Sequence, residues 1–212
     1  MPADLSLRIE DQSDRFGELT RTPINNRWRR QQHPMPVVVA IIQKLEKQDP
    51  NGNERVSYLL IRRKSEPYKD CWALIGGKWD FGETLAHAIV REVKEETSLD
   101  VSFDSLVGIV NERLASENGE VTKPAQFLLF VCRLSYHSGL ATEQKEGAVD
   151  WFTSAELERL RESGEIIPSD YLMLAHFIEA PPLIHHEVDM VASEGGRDSK
   201  PGSYIVRFER II

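Results

Sequence analysis

The stretch Gly77-Lys-Trp-Asp-Phe-Gly-Glu83, followed seven residues later by Arg91-Glu92-Val93-Lys94-Glu95-Glu96, decides how this chain is read. Gly76 and Gly77 end a short apolar run, and a helix-periodic segment follows. Leu85, Ala88, Ile89 and Val93 recur at three- and four-residue intervals, which predicts one apolar helix face from about Thr84 to Thr97. Glu92, Glu95 and Glu96 fall on another face, at i, i+3 and i+4. Like charges that close disfavour joint ionisation unless cations neutralise them. Hard divalent cations such as Mg²⁺ take oxygen ligands and commonly work beside substrate phosphates. A metal and a phosphate are therefore expected here, with the glycines as a turn that lets backbone approach the phosphates.

The rest of the chain frames that site. Its 212 residues, 41% hydrophobic, suffice for one good core. A net charge of -8 argues against a nucleic-acid polymer as partner, since such proteins carry a basic footprint. A nucleotide bound through metal ions stays compatible. Cys71 and Cys132 sit beside apolar runs and read as buried free thiols rather than a disulfide. No apolar run reaches membrane-spanning length and the N-terminus lacks the marks of a signal peptide, so a cytoplasmic protein with no membrane partner is expected.

Working outward, Val37-Val-Val-Ala-Ile-Ile42 is a β-branched run suited to a strand buried on both faces. The turn chemistry of Asp49-Pro-Asn-Gly-Asn53 joins it to a second strand at Val56–Ile61. Cys71–Ile75 reads as a strand running into Gly76, with Trp72 in the core. Leu106–Leu114 and Gln126–Leu134 read as strands around an Asn118-Gly119 turn, and Ala148–Thr153 as another. Ser154 is expected to cap a charged helix, and a last helix is expected from Ser169 to Glu179, before Pro181-Pro182.

The ends differ from this body. Residues 1–35 form a polar arm with one basic cluster, Arg27-Trp28-Arg29-Arg30. That cluster is open to reading as a phosphate patch, but a solvated arm with Trp28 packed on the body or a second subunit is favoured. His186–Ala192 and Tyr204–Ile211 alternate at period two, with Tyr204, Val206 and Phe208 on one face, and predict a C-terminal β-hairpin. The organisation expected is an arm (1–35), one domain (36–180) and a hairpin extension (181–212) packed on that domain or on a dimer partner.

Any single glutamate on a helix is most simply a solvated side chain. Six identities at fixed offsets change the odds: at roughly 7% background each, they coincide with a chance of about 10⁻⁷ per starting position. The pattern Gly77-x5-Glu83-x7-Arg91-Glu92-Val93-x-Glu95-Glu96-x-Ser98-Leu99 resembles the signature box of the Nudix hydrolase superfamily. That box asks for glycine where this chain has Ser98, at the loop after the helix, where a left-handed cap is usual. The order of elements from about 36 to 179 is similar to the Nudix fold, an α/β/α sandwich around a mixed sheet.

The resemblance implies hydrolysis of a nucleoside diphosphate linked to another group, with Mg²⁺ or Mn²⁺. It implies Glu92, Glu95 and Glu96 as metal ligands, one of them serving as general base, with the backbone carbonyl of Gly76 or Gly77 completing the set. Glu83 and Arg91 would brace those carboxylates. Glu146, with Glu143 as second choice, stands where a further ligand often lies. Trp79 and Phe81 are candidates to stack on a substrate base. In this superfamily a proline or a tyrosine a short way past the box tends to mark ADP-ribose or dinucleoside-polyphosphate activity, and Asn111–Asn118 contains neither. A Nudix-fold module that senses a nucleotide without cleaving it is the alternative, and such modules usually lose box carboxylates. All are present here.

Overall fold

The computed structural model describes residues 34–46, 55–65, 68–114, 125–142, 144, 147–193 and 202–211. The arm with Arg27–Arg30, the turns at Asp49–Asn53 and Asn118–Gly119, and Glu143 and Glu146 lie outside them.

The run Val37–Ile42 forms the heart of β1 (Met35–Glu46), and Val38 to Ile42 are all buried, as a strand covered on both faces requires. β1 pairs through Gln43–Glu46 with β2 (Arg55–Arg63), and through Val37–Ala40 with β4 (Ile75–Lys78). Between them, the expected strand Cys71–Ile75 is divided. β3 (Trp72–Ala73) pairs with β2, and the chain then changes partner at Leu74. Leu74 lies in neither strand, and the buried Asp170 carboxylate accepts its N–H at 2.8 Å.

The two glycines do not form the expected turn. They lie inside β4, opposite Val38 and Val39. A Cβ on Gly76 would stand 2.1 Å from the Val38 carbonyl oxygen, so only glycine lets β4 approach β1 this closely.

The remaining strands complete a seven-stranded mixed sheet in the order β3-β2-β1-β6-β5, with β7 on the other edge of β2. They are β5 (Asp100–Leu114), β6 (Ala125–Ser138) and β7 (Gly147–Thr153). Helix α1 (Leu85–Thr97) lays Leu85, Ala88, Ile89 and Val93 into the core with Val38, Ala40 and Ile42 of β1 and Leu59 and Ile61 of β2. Each large aliphatic buried this way contributes about 1.5–3 kcal/mol of transfer free energy. Thr84 caps α1 from an extended backbone, its Oγ1 accepting the His87 N–H.

At the other end of α1, Ser98 takes the left-handed conformation (φ 64°) that glycine usually supplies, and its N–H closes onto Lys94 O at 3.0 Å. The left-handed cap forms on Ser98 itself, with Ser98 Oγ accepting from Gln144 Nε2 at 2.9 Å.

Helix α2 (Ser154–Ser163) is capped by Thr153 and not by Ser154, because Thr153 and Glu156 form a reciprocal capping box. Helix α3 (Pro168–Phe177) opens on proline, which suits a first turn that has no intrahelical acceptor for its N–H. Arg133 Nη2 donates to the carbonyls of Phe177, Ile178 and Ala180 and so closes the end of α3. Of the cysteines, Cys132 is buried and its thiol is pushed up to about 12 by burial, while Cys71 is only partly covered. Trp72 is likewise half-buried, its ring edge-on to Phe152.

Strands β8 (His185–Ser193) and β9 (Gly202–Ile211) form the C-terminal hairpin as a separate two-stranded sheet. A bulge at Asp189/Met190 breaks the expected row of Tyr204, Val206 and Phe208. Val188 opposes Phe208 and Met190 opposes Ile205, so Ile205 joins Phe208 on one exposed face. By internal contact the chain divides into two units. Residues 1–36 and 110–129 make one, in which Gln126 Nε2 donates to Asn111 Oδ1 at 2.9 Å. Residues 37–109 and 130–212 make the other, with the core, the described helices and the hairpin. No helix among the described residues is long and apolar enough to cross a membrane.

Candidate active site

The site is built where β4 meets α1. Gly77 lies against the Glu92 carboxylate: a Cβ there would come within 2.4 Å of Glu92 Oε2. Glycine thus brings the helix carboxylate onto the strand backbone. Glu92 is only 12% exposed, whereas Glu95 one turn on is 62% exposed.

Arg91 joins the group together. Its Nε and Nη2 donate to the two oxygens of Glu83 at 2.7 and 2.8 Å, a bidentate fork. Its Nη1 donates to Glu92 Oε1 at 2.7 Å and to Glu95 Oε2 at 3.4 Å, and Nη2 also reaches Lys78 O at 3.2 Å. One guanidinium therefore neutralises part of the charge that clustered carboxylates accumulate. The Arg91 hydrogen bond holds the Glu83 carboxyl below the usual carboxylate range, and the same bond raises Arg91.

Glu96 is 4% exposed and lines a cavity of about 370 Å³ with Gly76, Leu74, Ile61, Arg63, Lys64 and Ser65. So the structure gathers Glu83, Glu92 and Glu95 around Arg91, and places Glu96 with Gly76 in a pocket. Among the described residues, no three His, Cys, Asp or Glu side chains converge as a cage for a cation. Mg²⁺ is usually held by one or two carboxylates together with substrate phosphates. Buried Glu96, Glu92 and the backbone oxygens of β4 are hard donors of the kind such a cation takes.

The aromatic candidates separate. Trp79 is partly buried, donates Nε1–H to Glu83 O at 3.0 Å, and packs edge-on to Phe130 with centroids 5.1 Å apart. Its ring is engaged with the protein and braces the Glu83 loop. Phe81 is fully exposed. Sequence reasoning missed Arg63 and Lys64, although the Arg62-Arg63-Lys64 run closing an apolar strand was a visible signal. It missed Asp170 as well, for which no local signal existed.

A glycine-backed strand, a helix of carboxylates and an arginine bracing them form the box that the sequence pattern describes. The NUDIX domain model matches residues 34–174. The chain belongs to the Nudix family. This chain is 34% identical over 140 residues to the ADP-ribose pyrophosphatase of Methanocaldococcus jannaschii, covering 66% of this chain and 74% of that one. An uncharacterised Nudix hydrolase of Bacillus subtilis, YvcI, is 23% identical over 57% of this chain and 72% of its own. Among solved structures, a Nudix hydrolase from Nitrosomonas europaea superposes with a TM-score of 0.53 at 21% identity, over 71% of this chain and 94% of that one. A MutT protein from Methanosarcina mazei gives 0.52 at 23%, over 69% and 95%. These likenesses support the Nudix fold seen here, a mixed sheet with helices, to which this chain adds its C-terminal hairpin.

Proposed function

We propose that this Nudix protein hydrolyses a pyrophosphate bond in a nucleoside diphosphate linked to another group, with ADP-ribose as the first substrate to test. The observation that carries the reading is the full set of box carboxylates, of which Glu83, Glu92 and Glu95 are held by Arg91 beside a glycine strand. The relative named for ADP-ribose pyrophosphatase activity supports the choice of substrate. A sensing module without turnover has no need to keep all these acids.

In this reading Glu92, Glu95, Glu96, the Gly76 carbonyl and Glu146 hold Mg²⁺ or Mn²⁺. When bound, the cation supplies Lewis-acid stabilisation of charge on the phosphate oxygens. Arg91 orients Glu92 through its 2.7 Å bond, and Glu83 fixes Arg91. Glu95 is open to water, so its Oε1 is the proposed acceptor for the proton of the attacking water. Arg63 and Lys64 bring positive charge to the Glu96–Gly76 cavity, where a pyrophosphate needs it. Gly77 leaves room for the Glu92 carboxylate against the strand, and the exposed Phe81 is the proposed stacking surface for a substrate base.

The catalytic domain proposed is 36–180, with 1–35 as an arm and 181–212 as an extension, in a cytoplasmic protein. A two-stranded sheet alone is marginal in water. The exposed Val188, Met190, Ile205 and Phe208 therefore support a homodimer that covers this face. Size exclusion of the full chain against one lacking 186–212 tests this; an unchanged monomer refutes it.

The activity test is a panel with Mg²⁺: ADP-ribose, dinucleoside polyphosphates, nucleotide sugars, and normal and oxidised nucleoside triphosphates. Wild type is compared with Glu96→Gln, and products are resolved by chromatography. Cleavage by wild type that Glu96→Gln lacks supports the reading. No metal-dependent cleavage of any member favours the sensor alternative instead.

A further inference from the structure

The first N–H groups of α1 have no intrahelical partner. Thr84 Oγ1 satisfies that of His87 at 3.2 Å. The first turn of α1 contains no acid of its own, although the helix dipole favours one there. A carboxylate arrives from 102 residues downstream: Glu187 Oε1 on β8 accepts the Leu85 N–H at 2.9 Å. Its other oxygen, Oε2, accepts from Arg207 Nη2 on β9 at 2.9 Å. Arg207 is itself held by Asp189 at 2.7 Å and by Glu209 at 3.3 Å. Glu187, Arg207 and Asp189 line a cleft of about 240 Å³ with Trp79, Glu83 and Thr84.

We propose that Glu187 is a positioning residue for the Nudix box, oriented by Arg207. The proposal rests on the hydrolase reading above. Glu187 touches no reacting atom. By capping Leu85 it fixes the first turn of α1 against the loop that carries Glu83. Glu83 sets Arg91, and Arg91 sets Glu92. The hairpin lies beyond residues 34–174 matched by the family model, so this support comes from outside the matched domain.

In the full chain, Glu187→Ala is expected to lower kcat for pyrophosphate hydrolysis roughly three- to ten-fold while KM changes little, and to speed amide exchange at Leu85 by about five-fold, the size of a lost cap. Glu187→Gln keeps an acceptor oxygen and should recover most of the lost kcat. Arg207→Ala leaves the acceptor present but unoriented, and should fall between the two. A lower melting temperature with kcat unchanged in both Glu187→Ala and Arg207→Ala would overturn the proposal and leave a purely structural contact. Should wild type cleave no pyrophosphate, the hydrolase reading falls by itself. The coupling is then decided by NMR: the Arg91 and Glu92 amide resonances shift in Glu187→Ala if it holds and stay in place if it does not.

Discussion

Arg91 grips Glu83 with two parallel hydrogen bonds, Nε to Oε1 at 2.7 Å and Nη2 to Oε2 at 2.8 Å. With those two donors spent, Nη1 is the nitrogen left to reach Glu92 and Glu95. The acid before the helix thus aims the arginine at the acids on it.

Only a planar fork can serve both sides. Arg91→Lys keeps the charge but replaces the fork with a point charge. Turnover is expected to fall by about ten- to a hundred-fold, the usual cost of losing support behind a ligand carboxylate. Steady-state kinetics with a Mg²⁺ titration checks this, and unchanged turnover would refute the bracing role.

The two glycines should fail in different ways. At Gly77 the added methyl meets a side-chain carboxylate, at Gly76 a backbone carbonyl. Gly77→Ala is expected to push Glu92 aside and cut activity by about ten-fold or more while the fold survives. Gly76→Ala should overpack the β1–β4 pairing by about 1–3 kcal/mol and lower Tm by roughly 2–12 °C. Calorimetry beside activity assays separates the two.

Ser98 pays a conformational cost that the usual glycine avoids. Ser98→Gly should relieve it, offset in part by losing the exposed bond from Gln144, for a net gain of about 1 kcal/mol and roughly 2–4 °C in Tm. Ser98→Val should move Tm the other way, because a β-branched residue tolerates this backbone worst. Thermal melts of both variants decide it.

The Glu83 carboxyl sits below its ordinary range in the folded protein, chiefly through the Arg91 hydrogen bond. A folded pKa below the unfolded one adds stability above the ordinary carboxylate range, and that stability is lost as pH falls through the depressed value. Wild type should therefore exceed Glu83→Gln in stability at neutral pH, with the gap closing in acid below the usual carboxylate range. Urea denaturation across that span measures it, and a gap independent of pH would contradict the pairing.

Much of this protein was legible locally. The period of Leu85, Ala88, Ile89 and Val93 predicts α1 and its buried face, because helix geometry places those positions together whatever surrounds them. The same geometry sets Glu92, Glu95 and Glu96 at i, i+3 and i+4 on one helix, and the box pattern led to the family. The run Val37–Ile42 declared a doubly buried strand. What stayed hidden depends on partners distant in sequence. Gly76 and Gly77 read as a turn because glycine permits one, yet β1 draws them into a strand. That Trp79 packs edge-on to Phe130 and bonds to Glu83 had no local sign, and Ser154 read as a cap that Thr153 holds with Glu156. Asp170 beneath Leu74 and Glu187 on Leu85 had no local sign at all. Periodicity reports which face of an element avoids water. Which element, side chain or carboxylate meets that face is decided only when the chain closes on itself.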